Sequence, residues 1–210
     1  MLFRLPLAMC CLIYSMIHGQ IDPEYIDIVR DAYGVPHIFA ATDAEVSYGL
    51  AWAHAEDDFK TIQQGYLAGS NMLTKNIGNA GLGADFIAQF IGSEALFNAR
   101  YENEISDEYK KVVNGYADGI NSYAASHSEE VLIDALFPIT PKKMMRYGQL
   151  QLFISSKGDQ WVQRIINNQL DYNFKVEETP KGSNTFAFNS TKTKDGSTYL
   201  AINTHQPLDG

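Results

Sequence analysis

The sequence predicts an α+β protein in which a mostly helical middle part lies between two short β-hairpins. Apolar residues recur at helical spacing between helix-capping signals over residues 42–170. Residues 26–39 and 185–202 alternate with a period of two around turn residues, which is typical of hairpins. The composition, 45% hydrophobic and 20% charged over 210 residues, is that of a folded globular chain.

The first twenty residues differ in kind from the rest. A single basic residue precedes the uncharged apolar run 5–17, and this order predicts a secretory signal peptide over residues 1–19. The run is shorter than the ~20 residues of a membrane-spanning helix. We therefore expect an exported protein, periplasmic or secreted, without a membrane span. A lipoprotein anchor at Cys10 is less favoured, because the bulky Met9 stands before it. Cleavage would remove both cysteines, Cys10 and Cys11, so neither a disulfide framework nor a cysteine zinc site is expected.

The mature part is expected to open with a hairpin and a long helix. Residues 26–30 are β-prone, residues 31–34 favour a turn, and residues 35–39 return as the second strand. Thr42 and Glu45 then have the spacing of a capping box, which predicts the start of a helix.

Further helices are predicted by their caps. Three glycines are expected to break up the chain after the first helix: Gly65, Gly69 and Gly78. A second helical stretch is expected near residues 84–101, and Ser106 is expected to cap a third helix. Thr140 followed by Pro141 predicts the start of a fourth helix, which would run to about residue 170 with an interruption at Gly158.

The C-terminal part predicts an exposed loop and a second hairpin. Residues 176–182 are polar and contain proline and glycine. After them, residues 185–188 alternate, residues 194–196 favour a turn, and residues 198–202 return as a strand.

Charge and the histidines limit the classes of function. The 25 acidic residues outnumber the 16 basic ones, which argues against a nucleic-acid partner. Residues 54–58 (HAEDD) could suggest a metal site, but they lack the paired histidines of a metalloprotease helix. Zinc sites need three or four converging ligands. We therefore interpret these residues as a packed or capping cluster, and His37 as a residue that orders the first hairpin.

Four short segments together carry a family resemblance. They are residues 29–38 (VRDAYGVPHI), 48–57 (YGLAWAHAED), 182–186 (GSNTF) and 203–205 (NTH). In this order and spacing they resemble the penicillin acylase family of N-terminal-nucleophile amidohydrolases, which includes the cephalosporin and acyl-homoserine-lactone acylases. The resemblance extends over residues 26–205.

This resemblance implies a domain organisation. Residues 20–175 would form a helical first chain, residues 176–182 a processing linker, and residues 183–210 the start of the catalytic second chain. The last of these would supply the opening hairpin of an αββα sandwich. Family members continue for several hundred residues, and their oxyanion hole lies in that part. The 210 residues are therefore expected to be an incomplete N-terminal fragment that is inactive alone, from a precursor that yields a heterodimer.

The resemblance also assigns catalytic roles. The precursor would cut itself between Gly182 and Ser183, and Ser183 would supply both the nucleophile and, through its new α-amine, the general base. Such an amine has a pKa of about 7.7–8.0, which suits a base at neutral pH. His205 is implied as an orienting or proton-handling residue. Asn203 is a weaker candidate that would alternatively cap the strand end.

Cofactor, substrate and competing functions complete the expectations. No cofactor is expected for catalysis. The resemblance allows a structural calcium in the full-length protein, but no ligand is assigned, since residues 147–170 offer only Asp159. The substrate would be a small N-acyl amide, such as a β-lactam or an acyl-homoserine lactone. The alternatives are a non-catalytic exported binding protein of the same fold, and an exported helical protein with only an interaction function.

Overall fold

The computed structural model describes residues 21–169 and 182–204 of the chain. It divides into two compact units, one ending at Asp159 and the other beginning at Gln160. Helices and two antiparallel hairpins make up the described part, so the predicted α+β class is confirmed. The elements are β1 (Asp27–Arg30), β2 (Pro36–Phe39), α1 (Asp43–Gly69), α2 (Thr74–Ile77), α3 (Leu82–Phe90), α4 (Ser93–Glu104), α5 (Asp107–Ser126), α6 (Pro141–Ser155), α7 (Gly158–Ile166), β3 (Ser183–Phe188) and β4 (Tyr199–Thr204).

The first hairpin is closed by hydrogen bonds to one carboxylate. Asp31 Oδ1 accepts from the backbone N–H groups of Tyr33 at 2.8 Å and Val35 at 3.0 Å. Gly34 has a φ of +82°, a value that glycine adopts without strain. His37 Nε2 lies 3.3 Å from Asp31 Oδ2, so the expected role of His37 in ordering this hairpin is confirmed.

Helix α1 begins as predicted, continues through the first of the expected glycine breaks and ends at the second. The Thr42 side chain accepts from the Glu45 backbone and the Glu45 carboxylate accepts from the Thr42 backbone, which is the capping box. The expectation of a break at Gly65 is wrong, because α1 runs through it, whereas the breaks expected at Gly69 and Gly78 are confirmed, since α1 ends at Gly69 and α2 ends at Ile77 directly before Gly78. A Cβ at Gly65 or Gly69 would lie 2.6 Å from an atom of Tyr147 on α6. Both glycines therefore serve close helix packing.

The core of the first unit lies between α1, α5 and the connection that follows α5. Gly115 and Gly119, one turn apart on α5, face the backbone carbonyls of Ala44 and Tyr48, also one turn apart on α1. This close approach allows the buried side chains around it to form one cluster. Its buried members include Ala51, Ala55, Phe59, Leu67, Ile120, Tyr123, Leu136 and Ile139.

The later helices follow their caps, with one break that the pattern did not show. The stretch expected over residues 84–101 is two helices, α3 and α4, separated by Gly92 at a φ of +67°. Ser106 caps α5 and Thr140 caps α6, each by accepting from a backbone N–H three residues on. The interruption expected at Gly158 is confirmed, since α6 ends at Ser155 and α7 begins at Gly158.

The second unit contains the predicted C-terminal hairpin. Strands β3 and β4 pair antiparallel from Ser183↔Thr204 to Phe188↔Tyr199. Every residue of both strands is exposed, including Phe186, Leu200 and Ile202. The ten residues 189–198 connect the strands. No helix within residues 21–169 and 182–204 is both long and apolar enough to cross a bilayer.

Candidate functional site

The predicted nucleophile lies at the first position of a strand. Ser183 begins β3 directly after Gly182, and both residues are exposed. The bond between them therefore joins Gly182, which belongs to no helix or strand, to a hydrogen-bonded hairpin. An exposed peptide bond is accessible, and glycine on its carbonyl side gives the backbone conformational freedom there. Residues 176–181 of the predicted linker and residues 1–19 lie outside the described residues.

The register of the hairpin decides which candidates share a face with Ser183. Thr204 lies directly opposite Ser183, and Asn203 lies opposite Asn184. Since successive residues of a strand point to opposite faces, Ser183 and Thr204 share one face and Asn203 lies on the other. Asn203 therefore lies opposite the residue next to Ser183, but its side chain is on the other face of the hairpin. His205 lies outside the described residues.

Thr204 is the neighbour of Ser183 that the sequence patterns did not single out. It lies within the segment 203–205 (NTH), but that segment assigns it no role, and its position opposite Ser183 follows from the pairing of the strands. Counting back from the expected turn at residues 194–196 would not have found it, because the connection is ten residues long. The signal that identifies Thr204 is therefore the strand register.

The connection between β3 and β4 is held by its own side chains. The Asp195 carboxylate accepts from the Tyr199 hydroxyl and, at 3.1 Å, from the Ser197 backbone N–H. These hydrogen bonds, the Tyr199 hydroxyl first, hold the pKa of Asp195 below its usual value. Thr193 Oγ1 donates to the Ser197 carbonyl at 2.7 Å. The contacts restrict the ten-residue connection and so support the register that places Thr204 beside Ser183.

The polar side chains of residues 54–58 make ion pairs and hydrogen bonds with neighbouring groups. The Arg30 guanidinium donates to Glu56 at 3.1 Å and lies 2.8 Å from Asp57. His54 Nδ1 lies 2.9 Å from the Tyr116 hydroxyl, and burial raises the pKa of Tyr116. Asp58 leaves the helical conformation and accepts from a backbone N–H three residues on, at 3.0 Å. Of the packed or capping cluster that the sequence suggests, the structure shows a cap at Asp58 and a buried Ala55, while the other side chains are exposed.

The described residues contain no cluster of acidic side chains that indicates a calcium site. No group of three or more His, Cys, Asp or Glu side chains converges within residues 21–169 and 182–204. Asp159, in the first turn of α7, has a buried Oδ1 without a hydrogen-bond partner in the described part of the chain. Calcium takes roughly six to eight oxygen ligands. One free carboxylate oxygen fits a single ligand position and no more.

The first unit contains at least two cavities. One, of about 270 Å³, lies between the first hairpin and α1, and is lined by Ile28, Tyr48 and Trp52 among others. The other, of about 460 Å³, lies at the C-terminal end of α5, beside Ala124 and Phe137. Their linings include none of the predicted catalytic residues.

Comparisons with known proteins were made for both sequence and fold. The chain is 23% identical over 213 residues to the acyl-homoserine lactone acylase PvdQ of Pseudomonas fluorescens (strain Pf0-1), covering 88% of this chain and 27% of that protein. It is 25% identical over 101 residues to the penicillin acylase 2 proenzyme of Pseudomonas sp. (strain SE83), covering 48% of this chain and 13% of that protein. It is 22% identical over 149 residues to the penicillin G acylase of Escherichia coli, covering 65% and 16%.

The fold comparison agrees. The structure matches a chain of the thermostable penicillin G acylase from Alcaligenes faecalis with a TM-score of 0.51 and 19% identity, over 74% of this chain and 95% of that one. This chain spans 13–27% of the length of the sequence relatives named above. A family model described as penicillin amidase matches residues 25–210. The chain therefore belongs to the penicillin amidase family.

Proposed function

We propose that this chain is the N-terminal part of an exported amidohydrolase that cleaves N-acyl amides after cutting itself between Gly182 and Ser183. The observation that carries the proposal is the position of Ser183, exposed and first on β3, directly after the exposed Gly182. Family membership supports the reaction class. Residues 1–19 would direct export and be removed.

Self-cleavage uses the Ser183 hydroxyl against the preceding peptide bond. Oγ attacks the Gly182 carbonyl carbon, the C–N bond breaks, and the nitrogen takes up the hydroxyl proton as the Ser183 α-amine. Water then hydrolyses the resulting ester and leaves a free carboxylate on Gly182. The products are two chains from one precursor, which stay together as a heterodimer.

Amide hydrolysis would use the same oxygen with the new base. A serine hydroxyl is a weak nucleophile until a base takes its proton. The Ser183 α-amine, with a pKa of about 7.7–8.0, accepts that proton as Oγ attacks the substrate carbonyl carbon. The proton passes to the departing amine, and the acyl ester on Ser183 is hydrolysed by water. A strand is a rigid support for this geometry.

The remaining expected residues enter the proposal with lesser roles. His205 would orient the Ser183 amine or handle its proton, because histidine titrates near neutral pH. Asn203, on the other face from Ser183, would act on the strand end and not on the nucleophile. Catalysis would need no cofactor, and a structural calcium would need more oxygen ligands than the single carboxylate oxygen of Asp159.

The substrate class follows from the family and is broad. One relative is named as an acyl-homoserine lactone acylase and two as penicillin acylases. We therefore propose small N-acyl amides, β-lactam antibiotics and acyl-homoserine lactones included, as the compounds to test.

The experiment is N-terminal sequencing of the chains made from the full-length gene. We expect a second chain beginning at Ser183 in the wild-type protein. The Ser183→Ala variant should remain a single chain without amidase activity. Ser190→Ala, in the exposed connection of the same hairpin, is the matched control and should be cut like the wild type.

Two results would contradict the proposal. A wild-type protein that stays uncut and hydrolyses no N-acyl amide would favour the non-catalytic binding protein of the same fold. A cut at another bond, or activity that survives Ser183→Ala, would remove Ser183 from its proposed role.

A further inference from the structure

A second hydroxyl group lies on the face of the hairpin that carries Ser183. Thr204 is directly opposite Ser183 in the register of β3 and β4. The side chains of directly opposed residues in an antiparallel pair share a face, with Cβ atoms roughly 4.5–5.5 Å apart. Cross-strand pairs of serine and threonine at this separation form hydrogen bonds between their hydroxyls.

The other pairs on this face do not repeat the arrangement. Thr185 faces Ile202, and Ala187 faces Leu200. Ser183 and Thr204 are thus the pair on this face in which both members carry a hydroxyl. Both residues are exposed within the described hairpin, as are the other residues of its two strands.

We propose that Thr204 is a positioning residue for Ser183. Its Oγ1–H donates to Ser183 Oγ, which selects one rotamer of Ser183 and leaves the Oγ proton free to move to the α-amine. A serine side chain otherwise populates three staggered rotamers. The β-branched Thr204 is itself restricted at χ1, so it is a suitable fixed partner. The inference rests on the proposed function of Ser183 as the nucleophile.

The need for such a partner arises from the self-cleavage. Once the bond to Gly182 is broken, Ser183 becomes a chain terminus, and terminal residues are poorly ordered unless they are tied down. The ladder to β4 holds its backbone. A side-chain partner on β4 is what would hold the oxygen. Hydroxyl donation to Oγ also stabilises the negative charge that develops there as the proton leaves.

The test compares three variants of the full-length protein. Thr204→Val removes the hydroxyl and keeps the branched shape, whereas Thr204→Ser keeps the hydroxyl. Thr185→Val is the control: it makes the same threonine-to-valine change at the next residue pair on the same face of the hairpin. The measurements are the appearance of the chain that begins at Ser183, and kcat and KM for the best N-acyl amide found.

We expect Thr204→Val to lower kcat about 3- to 10-fold with KM unchanged, the range of one lost neutral hydrogen bond. Thr204→Ser should recover most of the rate, and Thr185→Val should match the wild type. To separate catalysis from processing, the two chains are also expressed as separate polypeptides, the second beginning Met-Ser183 so that removal of the methionine exposes the amine. The same order of rates is expected there.

The outcomes are distinguishable. An unchanged kcat in Thr204→Val overturns the inference while leaving Ser183 as nucleophile. An equal loss in Thr204→Val and Thr185→Val also overturns it, because the effect is then a general weakening of the hairpin. If the wild type itself produces no chain beginning at Ser183, the proposed function fails first.

Discussion

Replacing Gly115 by alanine tests the packing of α1 against α5. A Cβ at this position would lie 2.2 Å from the carbonyl oxygen of Ala44 and 2.9 Å from its carbonyl carbon. Both are backbone atoms, so no side chain can rotate away to make room. The N-terminal turn of α1 is also held by the capping box of Thr42 and Glu45. The two helices must therefore separate.

The expected magnitude follows from two opposing effects. Alanine is favoured over glycine inside a helix by ~1 kcal/mol. Inserting a methyl group into a packed interior costs ~1–3 kcal/mol, and the cost lies at the upper end when backbone must move. We expect a net loss of ~1–2 kcal/mol in the free energy of unfolding. Gly148 on α6 is the matched control, because a Cβ there would meet nothing within 4 Å.

The assay is denaturant unfolding of the Ser183→Ala precursor, which avoids heterogeneity from self-cleavage. The denaturant midpoint of the Gly115→Ala protein should fall. The midpoint of Gly148→Ala should be unchanged or higher, with a free energy of unfolding raised by up to ~1 kcal/mol. If both variants shift upward together, helix propensity alone governs the two sites. The close approach of α5 to the Ala44 carbonyl would then be refuted.

Two further predictions concern single polar side chains. The amide of Asn121 donates to the Ile139 carbonyl at 2.9 Å and accepts from the Ile139 N–H at 2.7 Å. Asn121→Leu should therefore lower the free energy of unfolding by ~1–3 kcal/mol in the same denaturant assay. An unchanged midpoint would contradict this. The pKa of Asp31 lies below its ordinary 3.8, chiefly because its carboxylate accepts from the Tyr33 N–H and also from His37. The stabilisation by Asp31 is therefore present above the pKa of the unfolded state and is lost as pH falls through the lower pKa of the folded state. Asp31→Asn should flatten the pH dependence of the unfolding midpoint below about pH 4. A midpoint that falls with decreasing pH as steeply as in the wild type would contradict this.

The helix starts were predictable because their signals are local. Thr42, Ser106 and Thr140 each cap a helix by accepting from a backbone N–H three residues on. This geometry involves only four consecutive residues, so the sequence contains all of it. The breaks were harder to predict. Gly92 interrupts the chain and Gly65 does not, although both are glycines within helical patterns.

The difference between those glycines is tertiary. At Gly65 the helix continues, and a Cβ there would lie 2.6 Å from the ring of Tyr147, so the glycine at this position makes room for a neighbouring helix. Tyr147 is distant in sequence, and no residue near Gly65 predicts this contact. The same holds for Gly115, whose neighbour Ala44 lies on another helix. A glycine pattern predicts either a break or a close approach, and only the packed partner decides between them.

For the candidate site, the sequence by itself determined the order of the elements and the family. The alternating pattern predicts a strand over residues 185–188, directly after Gly182 and Ser183, and the structure begins β3 at Ser183 itself. The tertiary structure decided which residue stands opposite it. A ten-residue connection permits several registers, and each shift by one residue moves the opposite strand's side chains to the other face. The observed pairing selects Thr204 and turns Asn203 away, because register depends on hydrogen bonds between strands and not on the residues of either strand alone.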